Sequence, residues 1–284
     1  IILIFMKQLV LFLLAVHFVI DINAQEHLWF AYPNSDTTLY GYKDAKGAVK
    51  VAPIFMVSAA RFENVVSVVE GSDSKYASYY INRHGRKFGI DSLYFFDNAP
   101  DCESEGFIRF RNRKTDKVGI FNKNGNVTIP AIYSYLDKVK NGLVGGLIGA
   151  TKKQDGEHYF LEGGTSVLLD SAGKTLINDF GDARHLNFYS LKISDQPDSD
   201  PDRINYRGVN GECYSFVDYE KEFKNWLNHL TQNFTSDLLK KNIFEEVTFA
   251  NDNSDWTQVP GNQFVERNFG PLQKSLLQIR QSTC

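Results

Sequence analysis

The chain is predicted to be mainly β: an array of hairpin repeats of about 40 residues each, followed by a small α-rich C-terminal segment. Three observations predict it. First, an Asp or Asn stands three residues before a Gly at Asp44/Gly47, Asn82/Gly85, Asn122/Gly125 and Asp170/Gly173, with a weaker fifth case at Gly208/Gly211. Second, those glycines are spaced by 38, 40, 48 and 38 residues. Third, the apolar pattern changes after Ser215 from strand-like runs to steps of three and four.

Each turn has a physical reason. The Asp or Asn side chain caps its own backbone two residues on, and Gly supplies the positive φ that lets one strand reverse into the next. Asp44, Gly47, Asn82, Gly85, Asn122, Gly125, Asp170 and Gly173 are therefore structural repeat turns. Apolar strands such as Val49-Lys50-Val51 and Val127-Thr128-Ile129 follow, and Pro53 and Pro130 are expected to end them, because proline cannot donate to a ladder. A second turn and strand recur at 62–68, 104–110 and 140–145.

Toward the N-terminus, Met6-Lys7-Gln8 precedes an apolar run from Leu9 to Ile20, then Asp21 to Gln25. This is the layout of a secretory signal peptide over 1–24, cut after Ala24, with 1–5 upstream of the start. The run is shorter than the roughly 20 residues that a membrane-spanning helix needs. No other apolar stretch of that length follows, so no transmembrane anchor is expected after cleavage. The product is expected to be exported, to the periplasm, cell surface or extracellular space. With 31 basic and 34 acidic residues and a net charge of −3, nucleic acid is an unfavourable partner. Cys102, Cys213 and Cys284 are an odd set with no zinc spacing, allowing at most one internal bridge, for which Cys102 to Cys213 is the candidate.

Tyr40-Gly41 through Pro53 and Phe55, and Val118-Gly119 through Pro130 and Tyr133, share one register, and Glu105-Gly106-Phe107 and Asn141-Gly142-Leu143 form a later turn. This unit resembles the bacterial WG repeat. The resemblance covers 28–211 and departs where Tyr40 and Val118 stand for the signature Trp, and where the units at 78–85 and 166–173 lack the Trp-Gly pair. It implies a β-repeat domain over 25–213, closed like a propeller or open, that binds or scaffolds rather than performing a set reaction.

His84 falls at a turn tip and is expected to be exposed. Tyr79, Tyr80, Phe88, Tyr94, Phe95, Phe96, Phe107 and Phe110 are read as strand core ahead of a stacking platform for sugars or peptides. In the α-rich domain or cap over 214–284, Phe216, Tyr219, Phe223, Trp226, Leu227, Leu230 and Phe234 lay one stripe along a helix of about five turns, read as core ahead of a membrane-surface face. Thr235 or Ser236 caps a short helix through Lys241, 244–249 reads as a strand, and Gly270-Pro271 opens a last helix over 272–279.

Catalytic motifs are absent. No nucleophile elbow or phosphate loop exists, and His27, His84, His158, His185 and His229 each stand alone. Glu103, Glu105, Glu245 and Glu246 are available as a glycosidase pair, since such a pair leaves no sequence spacing. Asp198, Asp200 and Asp202 have the alternate spacing of a calcium loop, but Arg203 stands in place of its Gly and Val209 in place of its Glu, which favours a solvated acidic loop. The leading expectation is an exported, noncatalytic repeat protein, without cofactor, that binds a protein or glycan partner at the cell envelope. Two alternatives stay open: a glycan-directed hydrolase that uses the repeats for targeting, and a calcium-stabilised adhesion module.

Overall fold

The computed structural model describes residues 27–72, 75–96, 99–250 and 255–282. The expected signal peptide over 1–24 and Cys284 lie outside the described residues. The chain is mainly β, and it divides into two compact units. One holds the described residues through Arg184 with 193–196 and 206–214; the other holds 185–192, 197–205 and the described residues from Ser215 on.

β1 (Trp29–Pro33), β2 (Tyr40–Asp44), β3 (Val49–Val57), β4 (Arg61–Phe62), β5 (Val65–Ser72), β6 (Lys75–Asn82) and β7 (Lys87–Phe88) form one sheet in the order β4-β1-β2-β3-β5-β6-β7. β8 (Phe95–Phe96) and β9 (Ala99–Pro100) pair with each other, and β10 (Phe107–Asn112), β11 (Lys117–Asn122) and β12 (Val127–Tyr133) form a three-stranded sheet. β13 (Tyr135–Leu136) and β14 (Leu143–Ile148) open the next sheet. A separate hairpin, β15 (Thr151–Asp155) and β16 (His158–Glu162), interrupts it before β17 (Thr165–Asp170) and β18 (Thr175–Asn178) complete the order β13-β14-β17-β18. β19 (Leu186–Ser194), β20 (Arg203–Arg207) and β21 (Cys213–Asp218) run in the order β19-β21-β20.

Four antiparallel meanders, β1-β2-β3, β5-β6-β7, β10-β11-β12 and β14-β17-β18, each turn from second to third strand at an Asp or Asn. At Asp44, Asn82, Asn122 and Asp170 the Gly N–H donates to the main-chain carbonyl of the Asp or Asn at 2.9, 2.9, 2.9 and 3.0 Å. The side-chain oxygen accepts from the N–H groups two and four residues on, at 2.9 to 3.1 Å. Gly47, Gly85, Gly125 and Gly173 hold φ of 83°, 75°, 77° and 86°. Gly208 has no side chain to do this, so Asn210 Oδ1 accepts from the Glu212 N–H instead at 3.1 Å, and there the strand order also differs.

The meanders are tied to one another in chain order. The Glu103 carboxylate accepts from the N–H groups of Glu63, Asn64 and Val65 at 2.5, 2.8 and 3.1 Å, and Glu105 accepts from Asn141 and Gly142 at 2.6 and 2.8 Å. Asn82 Nδ2 and Arg86 reach the carbonyls of Lys123 and Asn124 at 3.1 and 2.6 Å. Between these ties lie apolar clusters, including Val118, Ile120, Ile129, Leu136 and Val144, all 1 % exposed or less. Each such side chain contributes about 1.5–3 kcal/mol by leaving water.

Pro53 and Pro130 do not end their strands. β3 and β12 run through them as bulges: Tyr40 pairs with Phe55 and Tyr42 with Val51, while Val118 pairs with Tyr133 and Ile120 with Ile129. Three residues on the proline strand thus oppose Gly41 or Gly119 alone. A Cβ at Gly119 would lie 2.7 Å from the Ile129 carbonyl oxygen, and one at Gly41 would collide with that of Val51. The bulge releases the proline from the ladder, and glycine makes room for the bulge.

Helix α1 (Tyr219–Gln232) begins three residues after Phe216, which lies in β21, and ends before Phe234. Asp218 caps it, accepting from the N–H groups of Glu220 and Lys221 at 2.9 and 3.2 Å. The expected core stripe is largely exposed: Leu230 is buried, but Tyr219, Phe223 and Trp226 are 50 %, 57 % and 40 % exposed. The period was right for a helix and wrong for burial, because spacing fixes a face and not what covers it. Thr235 caps α2 (Ser236–Asn242). The strand expected over 244–249 is β22 (Glu246–Ala250), paired with an unforeseen β23 (Trp256–Pro260). The last helix, α3 (Gly261–Ser282), starts ten residues before Pro271, which lies inside it rather than at its opening. Among the described residues no helix is long and apolar enough to cross a membrane.

Buried tyrosines give the fold an alkaline limit. Burial pushes Tyr42 up to about 12, and Tyr135 to about 12, while its hydroxyl at Tyr42 still donates to the Ala59 carbonyl at 2.8 Å. The folded value is raised, so the unfolded chain loses its protons first. Stability is full below about pH 10 and falls as pH rises to about 12. The melting temperature should decline over that window, and Tyr42→Phe should flatten part of the decline; an unchanged slope would contradict this account.

Candidate functional site: a cationic and aromatic cleft

The link between the first two strands of a meander is short where β10 meets β11, at 113–116, but runs over 149–164 where β14 meets β17. β14 and β17 stay paired through Ile148 and Thr165, so the extra chain leaves the sheet as the hairpin β15–β16. Because side chains alternate along a strand, Lys152, Tyr159 and Leu161 fall on one face of that hairpin. All three line a cleft of about 500 Å³. Phe160 from the hairpin's other face also lines it, and the remaining wall comes from Tyr94, Phe95, Arg111, Thr115, Asp116, Lys117, Ser134, Tyr135 and Ala150.

The cleft is positively charged, with three cations against one carboxylate among its lining residues. Asp116 accepts from Arg111 at 2.6 Å and from Lys152 at 3.4 Å. Burial opposes its ionisation, but the hydrogen bond and charge of Arg111 outweigh this and hold the carboxyl below its usual range. Lys117 Nζ donates to Ser134 Oγ at 2.9 Å, and that hydroxyl donates to the Ala150 carbonyl at 3.1 Å. Lys152 Nζ sits 3.7 Å from the Tyr159 ring centroid.

Beneath this wall is a buried scaffold. Arg109, 5 % exposed, donates through Nε and Nη2 to both oxygens of Asp101, also 5 % exposed, at 2.9 and 2.7 Å, and through Nη1 to the Leu136 carbonyl at 2.9 Å. Its guanidinium carbon lies 4.4 Å from the Tyr94 ring centroid, and that of Arg111 lies 5.1 Å away. Tyr80 accepts from the Tyr94 N–H at 3.0 Å and donates to the Arg109 carbonyl at 2.8 Å. The polar partners of Tyr94 are thus fixed before any ligand arrives.

A second cleft of about 640 Å³ adjoins the first through Tyr135 and Leu161 and is lined by Asp137, Phe180, Asp182 and Arg184. Burial, chiefly, pushes the Asp137 carboxyl up, and Tyr135 donates a hydrogen bond to it at 3.1 Å. Arg184 is spent on Asp182, with Nε 2.9 Å from Oδ2.

The turn residues and carboxylates singled out from the sequence line neither cleft. Asp44, Asn82, Asn122 and Asp170 are turn caps, and Gly47, Gly85, Gly125 and Gly173 complete those turns. Glu103 and Glu105 are used on backbone N–H groups, and Glu246 holds Gln258 at 2.7 Å. Asp198 pairs with Lys192 and the buried Arg203 at 2.7 and 3.3 Å, Asp200 accepts from the Asp202 N–H at 2.9 Å, and Asp202 holds Asn225 at 2.6 Å. Among the described residues no three His, Cys, Asp or Glu converge as a metal set. Cys102 is an exposed thiol and Cys213 a buried one, and no disulfide joins them. Of the aromatics, Tyr79, Tyr80, Phe88, Tyr94 and Phe110 are core, with Tyr94 also backing the cleft, whereas Phe95 is exposed at the cleft.

Set against protein-family models, curated proteins and solved structures, the chain matches none. The cleft's own chemistry is what remains to indicate a function.

Proposed function

We propose that this is an exported, noncatalytic binding protein whose meanders are degenerate repeats of the WG kind, and that it holds its partner in the cleft walled by β15–β16. The reading of the meanders as one repeated unit is supported by the shared turn hydrogen bonds and by the glutamate ties between neighbours. Export rests on the apolar run of 9–20 after Lys7. The binding assignment rests on one observation: the long link over 149–164 is spent on a hairpin that adds Lys152, Tyr159 and Leu161 to a cleft. In repeat proteins, insertions map to loops on one face, which is often the binding face.

Excision of 151–162 tests it. Gly149-Ala150 would then join Gly163-Gly164, a short glycine-rich loop between strands that remain paired. The variant should melt within a few degrees of the parent, because hairpin residues are mostly exposed. It should lose retention on a panel of immobilised acidic and neutral glycans and peptides to which the parent binds. Retention equal to the parent's on every ligand, or catalytic turnover of any of them, overturns the proposal.

A further inference from the structure

The proposed binding site also carries information on its ligand class, and this step rests on that reading. Three features need to be met together. The cleft has a surplus of positive charge, with Arg111, Lys117 and Lys152 against Asp116. Two of those cations already share Asp116, whereas Lys117 meets a hydroxyl, Ser134 Oγ, at 2.9 Å. An anionic group on the ligand would offset part of this surplus near Lys117 and Lys152.

The second feature is Asp116 itself. Its side chain is 52 % exposed and stays ionised beside Arg111, so it presents an acceptor to whatever enters. A polyanion without hydroxyl donors would leave this acceptor unmet. A ligand that brings hydroxyl donors beside its anion would be held by both signs.

The third is the shape of the apolar surface. Tyr94 is buried and the Tyr135 hydroxyl donates to Asp137, so the open rings are those of Tyr159, 50 % exposed, and Phe160, 49 % exposed. Rings of this kind pack against the C–H faces of a saccharide while the Tyr159 hydroxyl and the exposed Thr115 address its oxygens.

We propose that the cleft binds an acidic oligosaccharide, a short chain of pyranose rings bearing carboxylates, with Lys117 and Lys152 on the carboxylate, Asp116 on vicinal hydroxyls and Tyr159 under a ring. Its anion and its hydroxyls are both required.

Calorimetric titration of the intact protein with a uronic-acid oligosaccharide, its methyl ester and hexaglutamate tests this. The oligouronate should bind, and the ester and hexaglutamate should bind at least about tenfold more weakly, which is about 1.4 kcal/mol. Lys152→Gln and Tyr159→Ala, both in the exposed hairpin, should each weaken oligouronate binding about three- to tenfold without moving the melting temperature. Equal binding of the ester overturns the requirement for the anion, and hexaglutamate binding as tightly as the oligouronate overturns the saccharide class. Hexaglutamate binding that is lost on excision of 151–162 would leave the cleft as the binding site and reject only its ligand. Failure of the oligouronate to bind rejects the ligand class outright, and the fate of the cleft is then read from the excision variant on the panel.

Discussion

Arg109→Met is expected to cost about 3–5 kcal/mol of folding stability, among the largest losses available from one side chain in this protein. The reason is the partner left behind. Asp101 is 5 % exposed, and Arg109 serves both of its oxygens, at 2.9 and 2.7 Å, whereas Lys138 approaches only to 3.5 Å. Methionine fills the volume of the arginine stem but leaves a carboxylate facing protein without its fork of donors, and the Leu136 carbonyl loses its donor too. The double variant Arg109→Met/Asp101→Leu removes the uncompensated charge and should recover most of the loss, since an apolar pair often replaces a buried ion pair at little cost. Denaturant unfolding of the two single variants and the double variant measures the coupling. A loss under about 1 kcal/mol for Arg109→Met would mean that water reaches Asp101, and the rigid backing assigned to Tyr94 would go with it.

Parts of this architecture were legible in the sequence because their causes are local. An Asp or Asn three residues before a Gly encodes a turn through bonds that span four residues, so Asp44, Asn122 and Asp170 could be read without knowing what the turns touch. Apolar spacing likewise placed a helix across Tyr219, Phe223 and Trp226. What the spacing could not carry is tertiary. Glu103 and Glu105 looked like spare carboxylates, yet they cap backbone N–H groups 36 to 40 residues away, and no local pattern encodes that distance. Pro271 is an opening signal by local rules, but the turns before it, with the buried Val265, sustain a helix that runs through it. The cleft was missed for a different reason. Its signal was present as the spacing of 48 between Gly125 and Gly173, against 38 to 40 elsewhere, but an excess in a period shows only that chain has been added. That the added chain is a hairpin with Lys152, Tyr159 and Leu161 on one face depends on its strand register.

Gly119→Ala should destabilise by about 3 kcal/mol, more than Gly47→Ala, although Gly47 is the glycine with positive φ. The two glycines answer different demands. Gly47 has φ of 83° and open space around its missing Cβ, so alanine there meets only the backbone penalty of about 1–2 kcal/mol. Gly119 lies within β11, where the three-for-one bulge at Pro130 drives the opposing strand inward. Its Cβ would stand 2.7 Å from the Ile129 carbonyl oxygen and 2.7 Å from the Phe110 ring, and both belong to a wall where Ile129 is fully buried. Neither neighbour can swing away as the end of a flexible side chain would, so the strands must part or the ring must leave its stack with Phe121, 4.1 Å away centroid to centroid. If proline holds the bulge, then Gly119→Ala and Pro130→Ala are coupled. With Pro130→Ala in place the strand can flatten, and adding Gly119→Ala should then cost at least about 1 kcal/mol less than it does alone. Simple additivity in the melting or denaturant data would mean that the bulge persists without its proline, and the pairing of Gly119 with Pro130 would be a coincidence of spacing rather than a single packing solution.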